Sequence, residues 1–222
     1  MTNSDTIVRH YGELARSGSG CCGGETLSLG SGDVVGAAWL RPGERVLDLG
    51  SGGGQDALRA AELVGTEGRV EGVDMTPEMI ERATRAADGR ANVRFQLGDV
   101  AHLPFADGSF DVVMTNCVVN LVDDKRQAFA EARRVLRPGG RLVLSDIVFA
   151  SAPPEGVRGD ERLTCACVGG AALLSEYLAW LRDVGLGDIA IVEGHPYASY
   201  AGADALAVTL VAREGATGAS CC

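Results

Sequence analysis

The residues best suited to chemistry in this sequence are its seven cysteines. They comprise two adjacent pairs and three single residues, namely Cys21 with Cys22, Cys221 with Cys222, and Cys117, Cys165 and Cys167. An odd number of cysteines, in a sequence with no visible secretory signal, favours reduced thiols over a disulfide framework. The adjacent pairs lack CxxC spacing, and His10, His102 and His195 complete no zinc pattern with them. We therefore expect thiols that act as ligands or as reactive groups.

Cys117 follows a short apolar run in the segment DVVMTNCVVNL (111–121). Such a run is typical of a parallel strand that is covered on both faces. In open α/β sheets, ligands lie beyond the carboxyl ends of the strands, and Cys117 falls at such an end, with Asn116 before it and Asn120 after it. Two interpretations stay open at this point. The thiol is a small buried apolar group, as free cysteine usually is, or it is a ligand.

A glycine-rich turn, VLDLGSGGG (46–54), lies between a predicted strand and a predicted helix. Glycines there let the backbone approach a ligand closely, and we expect them to leave amide N–H groups pointing at it. By itself such a turn fits a dinucleotide site, or merely a tight corner between strand and helix. Asp48 disfavours the dinucleotide, because a carboxylate repels a pyrophosphate and instead suits a cationic amino-acid group.

Two more acids end the next two predicted strands. Asp74 comes about 20 residues after the glycine turn, where a carboxylate can accept from both ribose hydroxyls. Asp99 can accept from an adenine amino group. Together with Asp48 they predict S-adenosylmethionine as the cofactor, because it combines adenine, ribose and a cationic amino acid. The predicted cofactor contacts are Asp48, Gly50, Ser51, Gly52, Asp74, Met75, Asp99, Val100, Asn116 and Tyr11.

These residues are positioned by alternating strands and helices. The predicted strands cover 45–50, 69–75, 93–99, 110–116, 141–148, 188–193 and 205–212, and the main predicted helices 4–16, 55–63, 123–136 and 175–184. The predicted fold class is α/β, a Rossmann-like seven-stranded class I methyltransferase sheet, because strands separated by helices imply parallel pairing. The short link between the last two strands predicts an antiparallel hairpin at one edge. Tyr11, in the first helix or just past it, closes over the cofactor or packs as an ordinary aromatic ring.

Size and charge limit the function classes. The 222 residues carry a formal net charge of −10, and a chain of this length fits one ordinary domain with a single core. We expect an N-terminal helix and cysteine-bearing loop over 1–32, a methyltransferase domain that uses S-adenosylmethionine over 33–213, and a flexible tail with a cysteine pair over 214–222. An acidic chain repels phosphate backbones, which disfavours nucleic acid. No apolar run approaches the roughly 18 residues of a membrane span, so a cytoplasmic location is predicted.

Four segments carry a resemblance to a known family: VLDLGSGGG, GVDMTPEMIERA, DVVMTNCVVNL and RVLRPGGRLVLSDIV. Together they resemble the class I S-adenosylmethionine methyltransferases that act on trivalent arsenic, over most of residues 7–192. The glycine turn and RPGG occur across many methyltransferases. The more diagnostic parts are DMTPEM, NCVVNL and CVGGA (167–171), and the opening YGELA with its vicinal cysteines is similar to that of bacterial members.

The resemblance implies that Cys117 and Cys167 hold arsenic. Many members carry a further cysteine just before the first strand, where this sequence has Ser31 instead. The candidates for a third thiol ligand are Cys21, Cys22, Cys221 and Cys222, with exogenous glutathione as another source. Cys165 stays an alternative to Cys167, and the two would share a face only on an extended segment.

The chemistry fits thiolate ligands, because trivalent arsenic is soft and thiolate is the softest protein ligand. Three thiolates would leave the arsenic lone pair facing the methyl sulfonium, so that the protein mainly supplies proximity. Methylation formally oxidises the arsenic, which gives spare thiols a role together with thioredoxin or glutathione as reductant. The expected substrate is arsenite or its thiol conjugates. Two other functions stay open: methylation of another small molecule, of quinone or sterol type, and non-catalytic metalloid binding.

Overall fold

A computed structural model of the chain describes residues 3–17, 31–153, 155–157, 163, 167–200 and 202–215. Its strands are β1 (Arg45–Leu49), β2 (Arg69–Asp74), β3 (Val93–Leu97), β4 (Phe110–Asn116), β5 (Leu136–Phe149), β6 (Asp188–Tyr200) and β7 (Ala203–Arg213). Its α-helices are α1 (Asn3–Ser17), α2 (Val34–Ala38), α3 (Gln55–Val64), α4 (Pro77–Ala86), α5 (Lys125–Val135) and α6 (Leu174–Asp183).

The seven strands form one sheet in the order β3-β2-β1-β4-β5-β7-β6. Strands β1 to β5 pair in parallel, whereas β7 is antiparallel to both β5 and β6. The predicted fold class is therefore confirmed, including the antiparallel hairpin at the edge. The strand order reverses between β1 and β4, and open α/β sheets bind ligands at such a reversal, outside the carboxyl ends of the strands.

Both faces of the sheet are buried, as the apolar strands predict. Alternate residues of a strand point to opposite faces. Leu47 and Val113 pack with side chains of α5 and α6, whereas Val46 and Val112 pack with side chains of α2 and α3. This double cover buries β1 and β4 where they pair side by side, up to Leu49 and Thr115.

Local signals set two helix boundaries close to the site. Thr76 is the N-cap of α4 and Pro77 is the first residue of the helix. Proline costs no hydrogen bond at the first helical position, because the N–H it lacks would have no partner there. Helix α5 begins after Asp124, whose carboxylate accepts from the Gln127 N–H at 2.9 Å. The predicted helix 123–136 therefore starts two residues too early and ends one residue too late, because Asp124 is the N-cap and Leu136 already pairs with Phe110 in the sheet.

The edge hairpin is longer than the sequence predicts. Strand β6 continues to Tyr200, seven residues beyond the predicted end at 193. Gly194 and Pro196 are poor strand residues, which is why the pattern stops early. They are tolerated because β6 is an edge strand with irregular register next to both residues. None of the helices in the described ranges is both long and apolar enough to cross a membrane.

Candidate active site

A cavity of about 980 Å³ opens at the carboxyl ends of β1, β2 and β4. All ten residues predicted to contact the cofactor line it: Asp48, Gly50, Ser51, Gly52, Asp74, Met75, Asp99, Val100, Asn116 and Tyr11. Cys117 lines it as well. The parallel register explains this convergence, because strands that run side by side end at one edge of the sheet.

The glycine turn after β1 differs from the expectation in the direction of its amide groups. The N–H groups of Gly50 and Ser51 both donate to the Val73 carbonyl, at 2.7 and 3.0 Å. The Gly52 N–H donates to Asp74 Oδ2 at 2.9 Å. These donors are used inside the protein, so the expectation that they point at a ligand is wrong for all three. These three amides are not available to a phosphate, whereas a dinucleotide-binding loop presents free amides to its ligand.

Gly50 is needed in this turn for two reasons. Its φ of +69° lies in the left-handed region, and a Cβ built on it would lie 2.2 Å from Cγ2 of Val118. Val118 follows Cys117 directly. Because Gly50 has no side chain, the segment after β4 can lie in direct contact with the glycine turn.

Asp48 is a buried acid with an unused oxygen. Within the described ranges its Oδ2 has no hydrogen-bond partner, and neither has Oγ of Ser51. Burial, and after it the negative charges of Asp56 and Asp74, raise the pKa of Asp48 well above its ordinary value. An unpaired buried carboxylate is costly unless a cation or a donor meets it. The residues present therefore fit the cationic amino-acid group of S-adenosylmethionine.

Asp74 and Asp99 retain acceptor capacity towards the cavity. Asp74 accepts from the backbone N–H groups of Gly52 at 2.9 Å and Thr76 at 2.8 Å, one on each oxygen. A carboxylate has about four lone-pair sites, so a diol can still be bound. Asp99 accepts from the Ala101 N–H at 2.8 Å and contacts Nδ1 of His102 at 3.0 Å.

The two acids differ in their ionisation. Burial raises the pKa of Asp74, even though the N–H groups of Thr76 and Gly52 lower it. Burial also raises the pKa of Asp99, but hydrogen bonds from His102 and Ala101 outweigh it and leave this pKa below its ordinary value. Asp99 is therefore the acid that stays charged most readily.

The Asn116 side chain forms hydrogen bonds to the backbone of Ser31 and Gly32. Its Oδ1 accepts from the Ser31 N–H at 2.9 Å, and its Nδ2 donates to the Gly32 carbonyl at 2.9 Å and to Asp56 at 3.1 Å. Ser31 has its Oγ 2.9 Å from Oγ of Ser145. Asn116 thus lines the cavity and at the same time holds Ser31 and Gly32 beside β4 and β5.

Helix α1 covers one side of the cavity. Ser4, Ile7 and Tyr11 line the cavity from one helical face, as their spacing of three and four residues allows. The helix is held against α4, where Arg16 pairs with Glu78. Tyr11 is half-buried at the cavity wall, a position that suits the predicted closure over the cofactor.

Cys117 and Cys167 meet behind the cavity. The Sγ of Cys167 lies 3.2 Å from the carbonyl oxygen of Cys117, and both residues are buried. Both have a positive φ, 58° and 63°, which is unusual for residues other than glycine. Such backbone persists only where surrounding contacts enforce it, and it concentrates at functional sites. The Cys117 N–H supplies one such contact by donating to the Ser145 carbonyl at 2.9 Å.

Cys117 therefore links two parts of the molecule. On one side it lines the cofactor cavity, and on the other it packs with Cys167, Ile147 and Ala171 in a buried apolar cluster. Cys167 belongs to that cluster and is not part of the cavity wall. The candidates for a third ligand, Cys21, Cys22, Cys221 and Cys222, lie outside the described residues, as does Cys165.

Three buried polar residues beside the cysteines were not predicted from the sequence. Asn120, Asp146 and Tyr177 form one hydrogen-bonded group. One signal was available, because Asp146 is an acid within the otherwise apolar strand segment LVLSDIVF. A buried acid in a strand centre needs partners, and this group supplies them.

Comparison with known proteins places the chain in a class. Residues 40–185 match the family model described as a methyltransferase domain. The seven-stranded sheet, the glycine turn and the acids at the strand ends agree with that match. The fold and this match define the class: the chain contains a methyltransferase domain with the class I sheet.

Individual relatives indicate which methyltransferase family the chain belongs to. The chain is 47 % identical to an arsenite methyltransferase of Halobacterium salinarum, over 73 % of this chain and 42 % of that protein. It is 43 % identical to another from Aquipseudomonas alcaligenes, over 71 % and 48 %. The crystal structure of an arsenic(III) S-adenosylmethionine methyltransferase from Chlamydomonas reinhardtii matches with a TM-score of 0.74 and 33 % identity, over 82 % of this chain and 70 % of that chain. The chain belongs to the arsenite methyltransferase family. It spans less than half the length of the first two relatives.

Proposed function

We propose that the protein methylates arsenite, transferring a methyl group from S-adenosylmethionine to trivalent arsenic bound by thiolates. The observation that carries this proposal is the position of Cys117, which lines the cofactor cavity and also contacts Cys167. A thiol pair next to a methyl-donor site suits a soft, thiophilic substrate. The names of the relatives point to the same substrate.

The cofactor would be held by the acids of the cavity. The unused oxygen of Asp48 would bind the cationic amino-acid group, Asp74 the ribose hydroxyls and Asp99 the adenine amino group. Met75 and Val100 would contact the adenosine, and Tyr11 would cover it from α1. When bound, S-adenosylmethionine supplies an electrophilic methyl group on a sulfonium centre.

The cysteines would hold the substrate. Each thiol loses its proton as an As–S bond forms, and one hydroxyl of arsenite leaves as water for each bond. No general base is required for the arsenic, because its own lone pair is the nucleophile. Cys117 and Cys167 would then keep the arsenic near the cofactor cavity, which is a proximity effect.

A third thiolate would complete the arsenic site. We infer that it comes from Cys21, Cys22, Cys221 or Cys222, or from glutathione, since Ser31 offers only a hard hydroxyl. After methylation, thioredoxin or glutathione would supply the electrons that return the arsenic to its trivalent state. The need for a third thiolate and the need for a thiol reductant both suit a cytoplasmic location, where thiols stay reduced. The proposed role of the reaction is detoxification.

One assay separates this function from its alternatives. The purified full chain is incubated with arsenite, S-adenosylmethionine and excess glutathione, and methylated arsenic is quantified by mass spectrometry. Methylated arsenic that forms only with the enzyme and the cofactor supports the proposal. Cofactor binding without arsenic methylation would favour a methyltransferase for another small molecule, such as a quinone or a sterol. Arsenite binding without cofactor binding would favour a non-catalytic metalloid-binding protein.

A further inference from the structure

Asn120 joins the segment of Cys117 to the segment of Cys167. It lies in a short 3-10 helix, Val119–Leu121, and its side chain is buried. Its Nδ2 carries two hydrogens and lies within hydrogen-bond distance of three acceptors: the carbonyl oxygens of Cys167 at 2.9 Å and Ile147 at 2.7 Å, and Asp146 Oδ1 at 2.7 Å. A single amide group thus ties the backbone of Cys167 to strand β5.

The orientation of this amide is set by Tyr177. The Tyr177 hydroxyl lies 2.6 Å from Asn120 Oδ1 and 3.0 Å from Asp146 Oδ2. Burial, and then the proximity of Asp146, raise the pKa of the Tyr177 hydroxyl, which therefore keeps its one proton as a hydrogen-bond donor. A flipped Asn120 amide would place its oxygen against two carbonyls and a carboxylate. Only the observed orientation satisfies both ends of the amide.

A second contact joins the same two segments through the backbone. A Cβ built on Gly170 would lie 1.8 Å from the Asn120 carbonyl oxygen, so that only glycine fits there. Gly170 follows Cys167 by three residues, as Asn120 follows Cys117. The two cysteine-bearing segments therefore touch both through a side-chain amide and through a close backbone approach.

We propose that Asn120 is the positioning residue of the thiol pair: its amide holds Cys167 against Cys117 in the geometry that trivalent arsenic requires. This inference rests on the proposed function, because it assigns Asn120 a role towards the same two thiols. A chelated ligand depends on the separation and direction of both thiols, and the left-handed backbone at each cysteine needs external contacts to persist. Asn120 supplies one of these contacts to Cys167 and does not itself touch the substrate.

Phenylarsine oxide is a suitable probe of this geometry. It condenses with two thiols, forming two As–S bonds and releasing one water molecule, so a single protein can chelate it without a third ligand. The test uses the full chain with the other cysteines changed to serine, leaving Cys117 and Cys167. One-to-one binding that disappears in Cys117→Ser and in Cys167→Ser establishes the chelate. If this parent protein does not chelate the probe, the proposed thiol site itself is contradicted, before Asn120 is tested.

Three variants in that parent then test Asn120. Asn120→Ala should weaken phenylarsine oxide binding about 10- to 100-fold, the usual effect of removing a group that orients a ligand. Tyr177→Phe keeps the buried ring but frees Asn120 Oδ1, so it should weaken binding in the same direction. The control is Asn92→Ala, because Asn92 also donates to two backbone carbonyls, at 2.8 and 2.9 Å, on α3 and just after it.

The readouts separate positioning from general stability. S-adenosylmethionine affinity should be unchanged in all three variants, and phenylarsine oxide affinity unchanged in Asn92→Ala despite some loss of stability. A folded Asn120→Ala protein that binds the probe as tightly as its parent would overturn the inference. Should Asn120→Ala not fold, Tyr177→Phe decides, since undiminished affinity there overturns the inference equally.

Discussion

The Sγ of Cys167 lies 3.2 Å from the carbonyl oxygen of Cys117, although the two residues are 50 positions apart in the chain. The contact joins the end of β4 to the segment that precedes α6. Because Cys117 also lines the cavity, the pair stands at the boundary between the proposed methyl-donor site and the apolar cluster behind it. This arrangement is the basis for placing arsenic next to the methyl donor.

Asp48→Asn should increase stability and decrease cofactor affinity. Asp48 is a buried acid that lacks a partner on one oxygen and lies near Asp56 and Asp74. Its replacement should therefore raise the free energy of unfolding by about 1 kcal/mol or more. Losing the charge-assisted bond to the cofactor, about 1.5–3 kcal/mol, weakens S-adenosylmethionine binding roughly 10- to 100-fold. Urea denaturation at pH 8 and calorimetry measure the two effects. A variant that is both less stable and equally tight in cofactor binding would refute this role.

Asp74→Ala should weaken S-adenosylmethionine binding at least about tenfold, as expected for losing one charge-assisted hydrogen bond. The loss has two causes, since the variant removes the ribose acceptor and releases the Gly52 N–H of the glycine turn. Phenylarsine oxide binding should be unaffected. The control is Asp88→Ala, at an exposed position that does not line the cavity. Cofactor affinity equal to that of the control would show that Asp74 does not bind the ribose.

Asp146→Asn should alter the pH dependence of stability. Burial raises the pKa of Asp146 from its ordinary value of 3.8 to about 7 in the folded protein. Between these pH values the folded state keeps a proton that the unfolded chain releases, so rising pH removes stability from the wild type. The variant lacks this contribution. Its free energy of unfolding relative to the wild type should therefore rise from about pH 4 to about pH 7 and then level off.

Guanidinium denaturation at several pH values measures that difference. Contributions of other buried acids, such as Asp48 and Asp74, are present in both proteins and largely cancel. A difference that does not change with pH, or that falls as pH rises, would contradict the ionisation assigned to Asp146.

Gly170→Ala should separate the two cysteine-bearing segments. The added methyl group meets the Asn120 carbonyl oxygen, and overpacking of this kind usually costs about 1–3 kcal/mol. We expect that loss of stability together with weaker arsenite binding. Gly194→Ala is the matched control, because the nearest atom to its Cβ would be 3.8 Å away. Equal unfolding midpoints and equal arsenite affinities for the two variants would speak against the close approach.

The site residues that could be predicted from sequence are those whose position follows from the pattern of their immediate neighbours in the chain. Asp48, Asp74 and Asp99 each lie at or near the end of a recognisable strand pattern, and a parallel sheet brings strand ends together at one edge. The use of the Gly52 N–H could not be predicted, because a glycine pattern permits a turn without fixing the direction of its amides.

The rest depends on contacts distant in sequence. Asn120 meets Asp146 across 26 residues and Tyr177 across 57, and no local pattern encodes such pairings. The pairing of Cys117 with Cys167 was likewise implied only by family resemblance. Strand β6 was predicted too short for a different reason. Gly194 and Pro196 have low strand propensity, so the predicted strand ends before them, but an edge strand tolerates both residues.

The most direct test of the arsenic site is the amount of methylated arsenic formed by Cys117→Ser and by Cys167→Ser, measured by mass spectrometry beside S-adenosylmethionine affinity. Both variants should lose methylation, because a hard hydroxyl is a poor ligand for a soft centre, and the double variant should be no worse than either single one. Cofactor affinity should stay close to that of the wild type, with a stability loss of about 1 kcal/mol for the buried hydroxyl. A folded Cys117→Ser protein that methylates arsenite at a near-normal rate would contradict the arsenic site and leave Cys117 as a core residue.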